Sequence, residues 1–333
     1  MSSLSATVTY YDHFHRPRID LTKSRYDQKA FLGRARHFFL TTDPRNLVAT
    51  SKQLDDAKQL LQQYKSGMEP SGTTDDDVWN AKRLYDSAFH PETGEKMFVM
   101  GRMSAQVPCN MTITGCMLTF YRSTPAILFW QWINQSFNAI VNYTNRSGDT
   151  GVSNRQLLSA YVAATGGAIA AALGVSYTAK KAPPIVARLG PFAAVAAANC
   201  INIPMMRRRE LESGINVFDE DGNELGKSKI AARKAITQVV VSRVGMATPG
   251  MVLVPVVINF LARFRWYARY ARFIEAPIQT LGVGFFLVFA TPLCCALFPQ
   301  QSSLPVSQLE QELQEHIAAT SQSTTKVYFN KGL

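Results

Sequence analysis

Up to residue 96 the chain mixes apolar and charged positions at helical spacing; beyond it the charges withdraw into loops and long apolar windows take over. The windows at 103–121, 157–177, 185–206 and 276–298 carry almost no charge. Each runs roughly 20 residues, the length that crosses about 30 Å of hydrocarbon. A fifth, 235–260, is apolar except for Arg243. Buried helices of a soluble core are the alternative, and five such lengths in one chain argue against it. The pattern predicts an all-α fold: a polytopic helical membrane protein with about five transmembrane helices between residues 97 and 298.

Residues 1–25 show no periodicity and read as a flexible tail, in which His13 and His15 would bind a metal only with further ligands. Residues 26–96 read as an N-terminal amphipathic helical region. In "RYDQKAFLGRARHFFL", Phe31, Ala35, Phe38 and Phe39 share one face and Lys29, Arg34 and Arg36 lie elsewhere, the signature of a basic amphipathic helix. "TDP" at 42–44 ends it. A second helix starts at a Ser51 cap and stops at Gly67, and a third opens with Asp75, Asp76 and Asp77 at the positive end of its dipole. "HPETGEKM" at 90–97 reads as a structured turn leading into the first span; His90 and Glu92 would suit a proton relay or cation site, and a turn capping adjacent helices is the blander reading.

The spans differ in surface. Ala160, Ala164, Ala168 and Ala172 repeat every four residues, as do Ala163, Gly167 and Ala171; Ala193, Ala194, Ala197 and Ala198 repeat the device in the following span. Such stripes let helix backbones approach closely in lipid, so these two spans should pack as a pair. "NIP" at 202–204 and "ATPG" at 247–250 suggest broken helices of the kind found at transporter midplanes. The 207–234 segment reads as a charged, solvated connection, and 299–333 as a tail with one short helix outside the bilayer.

Segment 124–145 is a polar amphipathic or re-entrant element. Asn134, Asn138 and Asn142 stand at i, i+4 and i+8, giving a helix one amide face, and Asn199 and Asn202 supply similar groups on the 185–206 span. Amides donate to a carboxylate and accept from an ammonium, so these residues could bind a small zwitterion; equally, they could bind one another between helices. A mid-span arginine costs about 2.5 to 3.5 kcal/mol on insertion scales, so Arg243 should face a partner or an aqueous cavity, unless its long side chain snorkels to the interface.

Composition removes other classes. The chain has 333 residues and a net charge of +11, but its Lys and Arg residues sit at span ends without a basic stripe interleaved with aromatics, so no nucleic-acid partner is expected. Cys109, Cys116, Cys200, Cys294 and Cys295 lie in or beside apolar spans and suggest neither a disulfide framework nor a zinc site. No metal constellation, cofactor motif, phosphate loop or nucleophile–base pair is present, so an enzyme is not expected. No secretory or acid-poor transit segment opens the chain, and targeting is expected to be internal. The Asn-x-Ser/Thr matches at Asn110, Asn134, Asn142 and Asn145 then read as accidental.

"HPETGEKM", "GRMSAQVP", "FWQWINQSFNAIVNYTNR", "KKAPPIVARLGPFAAVAAANCINIPMMR", "ITQVVVSR" and "ATPLCCALFPQ" together resemble the sideroflexins, from about Tyr26 to the final "VYFNKGL". "QVVVSR" and "TPLCCALFPQ" resemble the branch that contains the mitochondrial serine carriers. The resemblance implies a multi-pass protein of the mitochondrial inner membrane, usually drawn with five spans, that imports serine for one-carbon metabolism, with alanine and other small neutral amino acids as further substrates. It makes His90, Pro91, Gly94, Glu95 and Lys96 family-motif positions. It also brings the family's links with iron and haem homeostasis and an old tricarboxylate-carrier label, and nothing in the chain looks like an iron site. The competing expectation is a non-transporting scaffold for iron or haem homeostasis or respiratory-complex assembly, working through the N-terminal helices. One departure stands out: the family's proline-glycine-glycine motif is here "VPCNM", with Cys109 and Asn110, which puts close packing of the first span in doubt.

Overall fold

The computed structural model describes residues 18–91, 93–121, 123–145, 154–179, 189–320 and 324–332. His13, His15 and Glu92 lie outside the described residues. The chain is a predominantly helical membrane protein with one small sheet. Among the described residues three helices are long and apolar enough to cross a bilayer, over Leu158–Val175, Lys229–Leu261 and Arg265–Ala296; Gly190–Met206 is a shorter apolar helix.

Three helices form the N-terminal region: α1 (Phe31–Thr41), α2 (Ser51–Ser66) and α3 (Asp75–Ala88). The α2 cap is Thr50 rather than Ser51, because Thr50 and Gln53 close a reciprocal capping box; Gly67 ends the helix at φ 73°. Thr74 and Asp77 repeat the box on α3. Ala57, Leu61 and Tyr64 of α2 pack on Val78 and Ala81 of α3. Ile19 and Leu21, from the segment expected to be a flexible tail, pack there too, and Arg18 ion-pairs with Glu69 at 2.9 Å. The apolar face of α1 buries Ala35 and Phe38 against Cys295 and Ala296. Arg34 is buried with them, donating to the Ala296 carbonyl at 2.9 Å, where a cation suits a helix C-terminus.

The larger unit holds α4 (Gln106–Phe120), α5 (Thr124–Thr144), α6 (Asn154–Ala179), α7 (Gly190–Met206), α8 (Arg208–Ser213), α9 (Lys229–Leu261) and α10 (Arg265–Ala296). The small-residue stripes meet as expected. Ala160, Ala164, Ala168 and Ala172 of α6 and Ala194 and Ala198 of α7 are all buried, and a Cβ on Gly167 would stand 2.3 Å from Ile201 Cδ1. The α4–α10 crossing is equally tight, but at Gly115, whose Cβ would fall 2.6 Å from the Thr280 Cα. Cys109 and Asn110 therefore leave the packing of α4 intact. The expected breaks do not occur: Pro204 lies inside α7, and Pro249 and Pro255 lie inside the continuous α9. Leu253, Val256, Val257 and Phe260 of α9 and Leu281, Phe285, Val288 and Phe289 of α10 are exposed, an outer apolar surface suited to lipid.

The 207–234 segment is not a solvated connection. It contains α8, β1 (Ile215–Phe218) and β2 (Glu224–Ser228), which join β3 (Gln301–Pro305) and β4 (Lys326–Asn330) from the C-terminal tail in an antiparallel sheet of order β2-β1-β4-β3. Val217, Leu225, Leu304, Val327 and Phe329 make its buried face, closed by Ala231 and Ala235 of α9 and by Ile317 of α11 (Gln311–Thr320). Each strand is four or five residues long, and β1 and β4 are far apart in sequence, so neither alone shows an apolar face.

Candidate substrate cavity

Helix α5 is capped by Ser123, whose hydroxyl accepts from the Ala126 amide, and Pro125 sits in its first turn where a missing N–H costs nothing. Asn134 and Asn138 of the expected stripe turn inward, and two glutamines join them. Gln131, Asn134 and Gln135 are buried and Asn138 is partly buried, at i, i+3, i+4 and i+7, so two adjacent ridges face the protein interior. The apolar face is buried as well: Phe137 and Val141 pack on Ile113 and Met117 of α4. The Asn142 side chain lies outside the described residues.

These ridges face two different cavities. An inner one of about 100 Å³ is enclosed by α4, α5, α7, α9, α10 and the C-terminal tail. It brings together Asn134, Asn138, Asn199 and Arg243, four of the six residues the sequence singled out for solute binding. Gln106, Asn110, Ser242 and Thr291 add polar groups. Asn110 is tied to Gln106 at 2.8 and 3.2 Å, and Asn199 donates to the Val195 carbonyl at 3.0 Å. Gln106 Nε2, Asn134 Nδ2 and Ser242 Oγ are buried with no hydrogen-bond partner among the described residues. A buried polar atom left unpaired costs about 1 to 3 kcal/mol, so this is a cavity that favours a polar occupant.

Arg243 lies on α9 among Val239, Ser242 and Met246, which line the cavity with it. It has no acidic partner among the described residues, and no Asp or Glu lines the cavity. A second cation does line it. Lys331, in the tail read as lying outside the bilayer, is buried and lines the cavity with Cys295. Burial pushes its ammonium below the usual lysine range; the neighbouring Cys295 acts the other way and Arg34 adds to the lowering. Sequence reasoning missed Lys331 because only the pairing of β4 with β3 and β1 carries it there; Gln106 and Gln135 were visible as amides in apolar surroundings.

The other cavity is a wider vestibule of about 820 Å³ against α6 and the His90 turn. Asn202 faces this vestibule, with Gln135, Tyr161, His90, Glu95 and Lys96, and does not share the inner cavity. The turn itself is a compact structure: the His90 amide donates to the Glu95 carbonyl at 2.8 Å, Gly94 takes φ 65° and donates to the His90 carbonyl, and His90 Nδ1 accepts from the Thr93 amide at 3.3 Å. Lys96 reaches Asp55 at 2.8 Å and Ser51 at 2.7 Å, pinning the turn to α2, while Pro91 is exposed. These contacts make the motif a clamp at the vestibule rim. Among the described residues no group of three or more His, Cys, Asp or Glu is placed to hold a metal ion.

An apolar helical exterior around a polar, acid-free, cationic interior defines a membrane protein with an internal solute-sized cavity. Residues 20–333 match the sideroflexins over nearly the whole chain, and the protein belongs to that family. It is 59% identical over 323 residues to Sideroflexin-1 of Sus scrofa, 58% over 323 residues to Sideroflexin-1 of Homo sapiens and 59% over 315 residues to Sideroflexin-3 of Rattus norvegicus. Each match covers 95% of this chain and 98% of the relative. No solved structure matches the chain.

Proposed function

We propose that this sideroflexin is a carrier of small neutral amino acids in the mitochondrial inner membrane, importing serine, with alanine as a further substrate, for one-carbon metabolism in the matrix. The observation that carries the reading is the inner cavity: about 100 Å³, amide-lined, with Arg243 unpaired by any acid among the described residues and three buried polar atoms without partners there. For comparison, a dry apolar cavity of about 150 Å³ takes benzene. The volume suits an amino acid with a short side chain and is too small for citrate.

In this reading the solute enters from the vestibule and passes α5, whose Gln135 faces the vestibule and whose Asn134 faces the inner cavity. Arg243 then takes the carboxylate, and the carbonyl oxygens of Asn134, Asn138 and Asn199 accept from the ammonium and hydroxyl. Charge-assisted bonds formed out of water repay the desolvation of the zwitterion. The carbonyls freed by Pro249 and Pro255 in the unbroken α9 leave that helix a softened, bendable wall.

The test is uptake of radiolabelled serine into proteoliposomes containing only the purified protein, with alanine, citrate and iron(II) as competitors. Saturable uptake blocked by alanine alone supports the carrier. Absence of uptake by folded, inserted protein overturns it and turns attention to the scaffold role of α1–α3.

A further inference from the structure

The residues of β4 and those just after it are firmly anchored. Val327 and Phe329 are wholly buried in the sheet core, and β4 pairs with β3 along its full length. Lys331 is then fixed at both backbone groups, its N–H donating to the Gln300 carbonyl at 2.8 Å and its carbonyl accepting from Arg207 Nη1 at 2.8 Å. Gly332 follows at φ 74°, where a Cβ would stand 3.1 Å from the same guanidinium. This framework holds a lysine at 3% exposure against the inner cavity, although a lysine side chain ordinarily extends its ammonium to water.

One ammonium proton goes to the Phe298 carbonyl at 3.2 Å, just past the end of α10. Phe298 lies beyond the last helical residue, Ala296, whose own carbonyl is held by Arg34. An ammonium has three donors, and no second acceptor for Lys331 is present among the described residues. Two cations thus line a cavity of about 100 Å³ that holds no described carboxylate. Like charges around so small a space repel, and an anionic group between them relieves the repulsion while accepting from both.

The geometry points to a two-cation carboxylate subsite in which Arg243 binds one oxygen of the solute's carboxylate and Lys331, presented by the C-terminal sheet, binds the other. The inference rests on the carrier reading and sharpens it. The ammonium of an amino acid meets only neutral amide and hydroxyl oxygens here, so the cavity selects small monocarboxylates with a hydroxyl or amine beside the carboxylate. A 2-hydroxy acid such as lactate should enter; serinamide, which keeps the ammonium and loses the carboxylate, should not.

The experiment compares wild type, Lys331→Gln and Lys331→Arg in the proteoliposome assay, with lactate and serinamide as competitors, alongside melting temperatures with and without lactate. In wild type, lactate competes and serinamide does not. K331Q raises the KM for serine by about tenfold or more, the loss expected for one charged hydrogen bond, at unchanged Vmax, and K331R restores it. Lys331→Met replaces K331Q should the latter fail to insert. A KM unaffected by either neutral variant, or serinamide competing as well as serine, overturns the subsite. If wild type moves no serine the carrier reading falls, and the melting temperatures decide the subsite separately: stabilisation by lactate that K331Q abolishes supports it, and no stabilisation refutes it.

Discussion

Replacing Arg243 with methionine separates a binding role from a structural one. Methionine keeps most of the stem's bulk and removes only the cation. Because Arg243 has no acidic partner among the described residues, the substitution orphans no buried carboxylate there, the event that makes most broken ion pairs costly. It also removes a charge that costs about 2.5 to 3.5 kcal/mol to hold within a span. The folded protein should therefore melt no lower than wild type. Transport should suffer: a hydrogen bond to a charged group contributes about 1.5 to 3 kcal/mol, and about 1.36 kcal/mol corresponds to a factor of ten. The KM for serine should rise roughly ten- to hundred-fold. Kinetics in proteoliposomes and a melting curve of the same preparation read both quantities. A melting temperature several degrees lower with an unchanged KM would refute the reasoning and make Arg243 an interface anchor.

Three further outcomes follow from packing and charge. Gly115→Val should collapse the α4–α10 crossing, since a Cβ there falls 2.3 Å from Thr280 Oγ1 and 2.6 Å from Thr280 Cα; overpacking of about 3 kcal/mol should show as lost inserted protein, whereas Gly166→Ala, with nothing within 4 Å, should be neutral or slightly stabilising by thermal melt. Arg34→Met leaves the Ala296 carbonyl unpaired at a cost of about 1 to 3 kcal/mol, so amide exchange across Phe31–Thr41 should accelerate while α2 is unchanged. Glu310 accepts from Ser228 Oγ at 2.8 Å and from the Lys229 and Ile230 amides at 2.6 and 2.9 Å, capping α9. Burial pushes its carboxyl up, but the hydrogen bonds outweigh that and hold it below the usual range. A depressed carboxyl stabilises above its unfolded value, about 4.3, and loses that contribution as pH falls through the lower folded value. Exchange at the α9 start should rise on acidification below about pH 4 in wild type, and Glu310→Gln should abolish that dependence.

What the sequence displayed was whatever a single element determines by itself. The charge-free windows, the alanine stripe on α6, the Gly67 stop and the acidic first turn of α3 are all local, and each stands where its own spacing puts it. The amide face of α5 was legible as chemistry, and Asn134 and Asn138, one turn apart, line one cavity. An i, i+4, i+8 stripe selects Asn134, Asn138 and Asn142, whereas 3.6 residues per turn lets neighbouring Asn134 and Gln135 serve opposite cavities. Asn202 went astray for a similar reason, lying almost one turn beyond Asn199 on the vestibule side of α7. The sheet and Lys331 were hidden for a deeper one. A five-residue strand has too few positions for alternation to register, and the burial of Val327 and Phe329 exists only once β4 has paired with β3 and with the distant β1 and the sheet has closed on α9. The groups best placed to discriminate a charged solute, Arg243 and Lys331, are thus a residue whose oddness is local and one whose importance is wholly tertiary. A search confined to polar residues inside apolar windows finds the first of these and has no means of finding the second.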